Sequence, residues 1–371
     1  MAISDRVRQS APIGPDSFRD ATGTRDDPRQ GAGELQTAAD GARPLRILTV
    51  TNMWRENGHF RGTFVWEQVE SIRALGHHVD VEVIAQSRGR RDYFLAAPRV
   101  RRRVRQGGYD VVHVHFGMTA LAARFIGRAV PRVLTYHGGD VHIWWQRWLT
   151  KLGAGGTTKI YTSKRLADAN HDPHGAVVAC GTDPDLFAPR DQRQARGELG
   201  IDHDEPIVLF GGLPVNPVKD YPLFSAVLDE LRARGMSVHE LVLAELNQPR
   251  SRVAVKFAAA DALLFTSKKG TEAGPMVIKE ALVAELPIVS TDVGDVPEMI
   301  ERLTPSACVA WPQPWGTAAA RAQLVSALAD ALEKILVARS RSNGRQFQDR
   351  VDIRSKARAV VEVYRQAIAR G

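Results

Sequence analysis

Cysteine is nearly absent from this chain: Cys180 and Cys308 are the two present, far apart in sequence. That argues against a disulfide-stapled secreted scaffold and favours a reducing compartment. No apolar run approaches the roughly 20 residues that a membrane helix needs. Large apolar side chains are also scarce in residues 1–43, a polar stretch rich in Gly, Asp, Arg and Gln. It lacks the apolar centre of a signal peptide, so it reads as a disordered tail or an overextended start. The expected address is the cytoplasm, with the inner face of the cell membrane as a second site.

Acid is the minority charge, 42 Asp and Glu against 50 Lys and Arg, for a formal net charge of +8. The excess is uneven: from Arg88 to Arg105 eight arginines stand against one acid. Phe94, Leu95, Val100 and Val104 are spaced there at roughly helical intervals. An amphipathic basic helix is therefore expected, either as a plain solvated face or as a peripheral contact with an anionic membrane. No aromatic stacking platform accompanies these arginines, which argues against nucleic acid as a partner.

What is present is a regular alternation of strands and helices. Buried-type strands are expected at 46–50, 79–84, 111–115, 132–136, 160–162 and 176–179. Helices are expected at 64–75, 88–105 and 118–126. A polar segment, 185–205, reads as a linker. A second series follows, with strands at 207–210, 241–244, 262–266, 287–291 and 308–311. Its helices fall at 223–234, 252–259, 276–285, 318–337 and 356–369. At 44% hydrophobic residues the chain has enough apolar material for two cores. The pattern predicts an α/β protein of two doubly wound, Rossmann-like parallel-sheet domains, 44–190 and 205–350, facing a cleft at the strand ends. A Gly-x-Gly-x-x-Gly turn is missing between the first strand and helix, so a dinucleotide-dependent oxidoreductase falls away. Gly153, Gly155 and Gly156 precede a strand and read as a loop.

The stretch from Ser267 to Ile300 is the most specific. Glu272 and Glu280 bracket seven residues that include Gly274 and Pro275. A helix begins at Met276, and a β-branched strand and a Gly-Asp-Val-Pro turn follow. Helix N-termini offer free N–H groups and a positive dipole end to phosphate. Eight residues of helix span about 12 Å, close to the reach from a sugar across a diphosphate to a ribose. One carboxylate at each end can hold hydroxyls while the amides of Gly274, Pro275–Met276 and Val277 face phosphate. Two solvated acids on a surface helix is the plain alternative.

This Glu-x7-Glu motif, with its strand and the turn from Gly294 to Glu298, resembles that of the retaining family 4 glycosyltransferases of the GT-B fold. The resemblance extends to 46–83, 109–142 and 206–219. It implies an N-terminal acceptor domain, a C-terminal nucleotide-sugar donor domain, and a last helix, 351–371, crossing back to the first domain. It implies transfer of a hexose-type unit from a UDP- or GDP-linked donor to a glycan, lipid-linked or small-molecule hydroxyl, with no cofactor and no catalytic metal. Glu272 then positions sugar hydroxyls, Glu280 holds the ribose, and His137, before Gly138, Gly139 and Asp140, lines the donor sugar.

Gly211 and Gly212, with Asn216 and Lys219 beyond them, resemble the donor-phosphate loop. The arginine that normally partners the lysine is missing; Leu213 or Asn216 stands near its place. Lys268 or Lys269 is expected to substitute. Gly62, in Arg61-Gly62-Thr63, resembles the contact to donor phosphate in the first domain, and Asp183 reads as structural. His113 and His115 share one side of a strand but lack a recognisable third metal ligand. His77 and His78 read as capping or surface residues. Trp144, Trp145 and Trp148 suit an acceptor sugar, a lipid surface or a core. Three rivals remain open: a sugar-nucleotide epimerase of the same fold, a non-catalytic nucleotide-sugar or glycan-binding module, and a membrane-surface scaffold.

Overall fold

The computed structural model describes residues 43–370 except 57–58, 61, 85–88, 90, 128 and 244–247. The expected tail, apart from Arg43, lies outside the described residues, as do Arg61, Arg88 and Arg90.

The first half contains β1 (Arg46–Thr51), β2 (Arg55–Glu56), β3 (His59–Phe60), β4 (His78–Val83), β5 (Val111–His115), β6 (Arg132–Tyr136), β7 (Thr157–Tyr161) and β8 (Ala176–Val177). Its helices are α1 (Thr63–Ala74), α2 (Asp92–Gly107), α3 (Ala120–Ala123), α4 (Gly139–His142), α5 (Trp144–Gly153) and α6 (Lys164–Ala169). Six strands form one parallel sheet in the order β4-β1-β5-β6-β7-β8, while β2 and β3 make a separate antiparallel pair. Parallel strands covered on both faces read as continuous apolar runs, which is why β1 and β5 are buried along almost their whole length.

After the linker helix α7 (Gln192–Glu198), the second half has β9 (Ile207–Phe210), α8 (Tyr221–Ala233), β10 (His239–Val242), α9 (Arg250–Ala259), β11 (Ala262–Phe265), α10 (Met276–Val283), β12 (Ile288–Thr291), α11 (Val296–Ile300), β13 (Ser306–Val309), α12 (Ala318–Ala338) and α13 (Ile353–Ala369). Its five strands are parallel, in the order β10-β9-β11-β12-β13. One large core and a small cluster of Ala195, Val255, Ala258 and Ala259 fill this half; the first sheet has a core on each face. The face carrying Ile47, Val111 and Val133 is closed by α1 and by Val360, Val361 and Tyr364 of α13. No helix of the described residues is long and apolar enough to cross a membrane.

Three local expectations are corrected, and the linker gains a helix. The polar linker holds α7, because Asp191 caps it by accepting from the Gln194 amide and Ala195 buries against α9. The helix expected at 118–126 shrinks to a 3-10 turn, Gly117–Thr119, and the four residues of α3, entered through Phe116 at φ 69°. In α2 the buried stripe is Tyr93, Ala96, Val100 and Val104, whereas Leu95 is exposed; i, i+3, i+7, i+11 is the helical period and position 95 falls off it. Two of that helix's arginines are neutralised: Arg99 pairs with Asp92 and Glu82, and Arg103 pairs with Glu82. His77 is buried and accepts the Leu45 amide on Nδ1, so it is no surface cap; His78 beside it is exposed.

Candidate active site

The carboxyl ends of both sheets meet. A Cβ built on Gly138, just past β6, would lie 3.3 Å from Cβ of Ala273 in the motif loop. Ion pairs add to this junction: Arg165 reaches Asp292 and Glu298, and Arg250 reaches Glu67.

On the second sheet, β9 ends in Phe210 and the chain turns through Gly211 and Gly212 toward α8. Lys219 folds back across this turn, so a Cβ on Gly212 would come within 2.7 Å of its Cγ. Only glycine leaves that path open. Lys219 Nζ donates to Glu272 Oε1 at 2.7 Å, which also accepts from Ser267 Oγ at 2.8 Å. Asn216 shapes the loop: its Oδ1 accepts the Val218 amide and its carbonyl accepts the Lys219 amide. Lys268 and Lys269 are exposed beside this loop, the Lys268 amide donating to the Val218 carbonyl.

Helix α10 starts after Pro275, and Met276 and Val277 form its first turn. The Gly-Asp-Val-Pro turn buttresses the loop ahead of it, with the Asp295 amide donating to the Ala273 carbonyl. Beneath the loop, Lys279 is fully buried, and its ammonium lies 3.4 Å from the Gly274 carbonyl. Burial holds the Asp295 carboxyl above its usual range, opposed by the nearby Lys279 charge.

Glu280, one helical turn on, is buried and takes a different partner. Its Oε1 accepts from Arg250 Nη2 at 2.6 Å, and Arg250 Nε donates to Glu67 Oε1 at 2.8 Å. This triad joins α9 and α10 to α1 across the cleft, with the Arg250 guanidinium 4.9 Å from the Phe187 ring centre. Burial pushes Glu67 up to about 7, against the pull of Arg250. The two motif glutamates thus belong to two separate polar clusters.

From the first sheet, His137 follows β6. Asp140 fixes its backbone by accepting the amides of His137, Gly138 and Gly117 at 2.9–3.2 Å. Burial raises the Asp140 carboxyl and these amides oppose the rise. The imidazole packs between Phe64 and Phe116, with ring centres 5.0 and 4.4 Å away, and its Nε2 lies 3.1 Å from His115 Nδ1. Gly62 delivers Phe64: it sits at φ 71°, and a Cβ there would strike Met53 at 2.5 Å. Behind His115, the ring nitrogens of His113 contact Thr135 Oγ1 at 2.7 Å and the Tyr364 hydroxyl at 2.6 Å. Burial depresses all three histidines, His115 to about 3 and the others well below 6.5, so each is neutral at physiological pH.

His137, Lys219, Glu272, the glycine pair and the start of α10 therefore gather at one junction. Asp183 accepts the Asp185 and Leu186 amides and shapes the chain before the linker. Trp144 and Trp148 do not pack in a core; they are 81% and 60% exposed. Sequence reasoning missed Arg250, Glu67 and Lys279. A cation opening the helix that follows β10 was a usable signal for Arg250. Nothing local marks Glu67, and a buried lysine is counter to type. Among the described residues, His203, Glu205 and His239 offer ligand atoms within 4.8 Å of one another, but at the amino end of the second sheet, opposite this site.

The described geometry has counterparts. Residues 47–186 match the model Glycosyltransferase Family 4, and 207–337 match Glycosyl transferases group 1. A D-inositol 3-phosphate glycosyltransferase of Segniliparus rotundus is 27% identical over 40% of this chain, an alignment spanning 37% of that relative. The chain thus covers little more than a third of its length. Sucrose-phosphate synthase of Thermosynechococcus elongatus superposes with a TM-score of 0.68 at 18% identity, covering 88% of this chain and all of that one. Anabaena HepE in complex with UDP-glucose gives 0.60 at 17%, covering 87% of this chain and all of that one. Two paired parallel sheets, a glycine-lysine loop facing a Glu-x7-Glu helix, and two adjoining family matches converge: the chain belongs to the family 4 glycosyltransferases of the GT-B fold.

Proposed function

We propose that the chain transfers a hexose-type unit from a nucleotide-sugar to a hydroxyl of a sugar-containing acceptor in the cytoplasm, with retention of configuration and without a catalytic metal. The observation that carries this reading is the Lys219–Glu272 pair at the start of α10, opposite His137. A diphosphate placed there meets the Lys219 ammonium, the free amides of the first turn and the helix dipole together. These groups supply what the missing arginine would otherwise give, with Lys268 and Lys269 as further cations at the rim.

Glu272, already accepting from Lys219, keeps its second oxygen for a sugar hydroxyl. Glu280 holds the ribose, its carboxylate aimed by Arg250. His137, neutral and held by His115, offers a nitrogen to a donor-sugar hydroxyl without adding charge. No carboxylate need act as nucleophile: the leaving phosphate oxygen takes the acceptor's proton as the new bond forms on the same face. The protein's part is orientation and stabilisation of the departing diphosphate. That HepE was solved with UDP-glucose favours UDP over GDP.

Thermal stabilisation by UDP, GDP and their sugar conjugates tests this on wild type and Glu280→Gln. A ligand that binds only the folded state raises its melting temperature by mass action. The expected result is a rise with UDP and UDP-sugars that shrinks in the variant. No rise with any nucleotide overturns the proposal. Donor turnover without acceptor, yielding an epimer, would move the reading to an epimerase.

A further inference from the structure

We propose that the outward face of α5, with Phe125 beside it, is a docking surface for an anionic lipid membrane; this stands apart from the transferase reading. The helix reads Trp-Trp-Gln-Arg-Trp-Leu-Thr-Lys-Leu-Gly. Trp144, Trp148 and Leu152, four residues apart, share one side of it and are 81%, 60% and 41% exposed. Its opposite side is anchored by buried Thr150 and Gly153, the latter packed on the backbone of Ala120 and Leu121, so the helix cannot roll this stripe inward. Phe125, 63% exposed, follows α3, the helix on which α5 packs.

The charge around this stripe has one sign. Lys151 and Arg124 are exposed beside it, and Arg147 is half-buried on the same helix. Between Asp110 and Asp168 the chain has a single carboxylate, Asp140, and that one is buried under three backbone amides. A second copy of the chain is a poor occupant, because a two-fold contact would set these cations against their own images. An apolar groove in a protein partner would bury the tryptophan N–H groups. The headgroup boundary of a bilayer suits both features: indole rings settle there with the apolar body down and the N–H in water, while lysine and arginine reach anionic headgroups. The basic helix α2, by contrast, spends Arg99 and Arg103 on internal carboxylates.

Flotation of the full chain with phosphatidylcholine vesicles, and with equal parts phosphatidylcholine and phosphatidylglycerol, tests the proposal. Binding is expected to the anionic vesicles, weakened by salt, with the tryptophan emission shifted to the blue. Trp144→Ala with Trp148→Ala should lower affinity at least about tenfold, and Lys151→Glu by severalfold. Arg101→Glu with Arg102→Glu on α2 should lower it less than the tryptophan pair does. All substituted positions are exposed, so an unchanged melting temperature verifies folding. No binding to anionic vesicles overturns the proposal, as does wild-type binding by the tryptophan variant. A dimer that this variant dissociates, with no lipid binding, assigns the surface to a second copy instead. Nucleotide-induced stabilisation should persist in the tryptophan variant, so loss of membrane binding and loss of the donor site are read separately.

Discussion

At the residue scale Lys219 donates to Glu272, and the proposed function sets the same ammonium against the donor diphosphate. Lys219→Ala should lower kcat about a hundredfold, the order found when one preorganised charge is removed from a developing anion. Equal turnover in the variant would sink its phosphate role. Arg250 asks a different question. Its removal leaves Glu67 and Glu280, 10% and 5% exposed, close together without a counter-charge. Arg250→Ala should therefore cost roughly 3 kcal/mol of stability, and Arg250→Lys less, since lysine keeps the charge but cannot reach two carboxylates in one plane. Urea denaturation of both variants measures this; an unaffected midpoint for Arg250→Ala would mean that the cleft opens and hydrates the two acids.

At the scale of elements, α13 shows how a remote helix supports the site. Tyr364 is fully buried, and its hydroxyl touches His113, whose ring lies tilted against that of His115, 4.1 Å between centres, with His115 the neighbour of His137. Tyr364→Phe leaves a buried ring nitrogen unpartnered and should cost about 1–2 kcal/mol, with KM for the donor less affected than stability. An equal loss in Tyr364→Phe and a truncation before Ile353 would contradict this, since the truncation also strips Val360 and Val361 from the first sheet. The elements themselves were legible where apolar period and glycine punctuation agree, as in β5 and α10. They were illegible where polarity hid packing. Helix α7 is polar in sequence, yet Asp191 caps it and Arg196 pairs with Asp261. The motif could be read because loop, helix and strand chemistry sit within one local stretch. Glu67 could not, because its role depends on Arg250, a contact 183 positions away.

For the whole molecule, the buried titratable groups set a pH window. His113, His115 and His137 stay neutral when folded, whereas in the unfolded chain each takes a proton below about 6.5. Their folded values are depressed, so the stability they favour is present above 6.5 and lost as pH falls. Glu67 runs the other way: raised from 4.5 to about 7, it favours the fold fully below 4.5 and loses that contribution as pH rises through 7. Asp140 and Asp295 are raised above 3.8 by burial, so they too take protons in the folded state before the unfolded chain does and act with Glu67. Between pH 6.5 and 5 each of the three imidazoles makes acid destabilising, and each raised carboxyl opposes it. Stability should fall there by about 1.4 kcal/mol per pH unit for each excess proton bound by the unfolded chain. Urea midpoints across this range test it, with His115→Gln removing one of the three protons and flattening the slope. A slope unchanged by His115→Gln would mean that these histidines accept protons in the folded state. The neutral imidazole that the proposed donor site needs at His137 would then be lost with them.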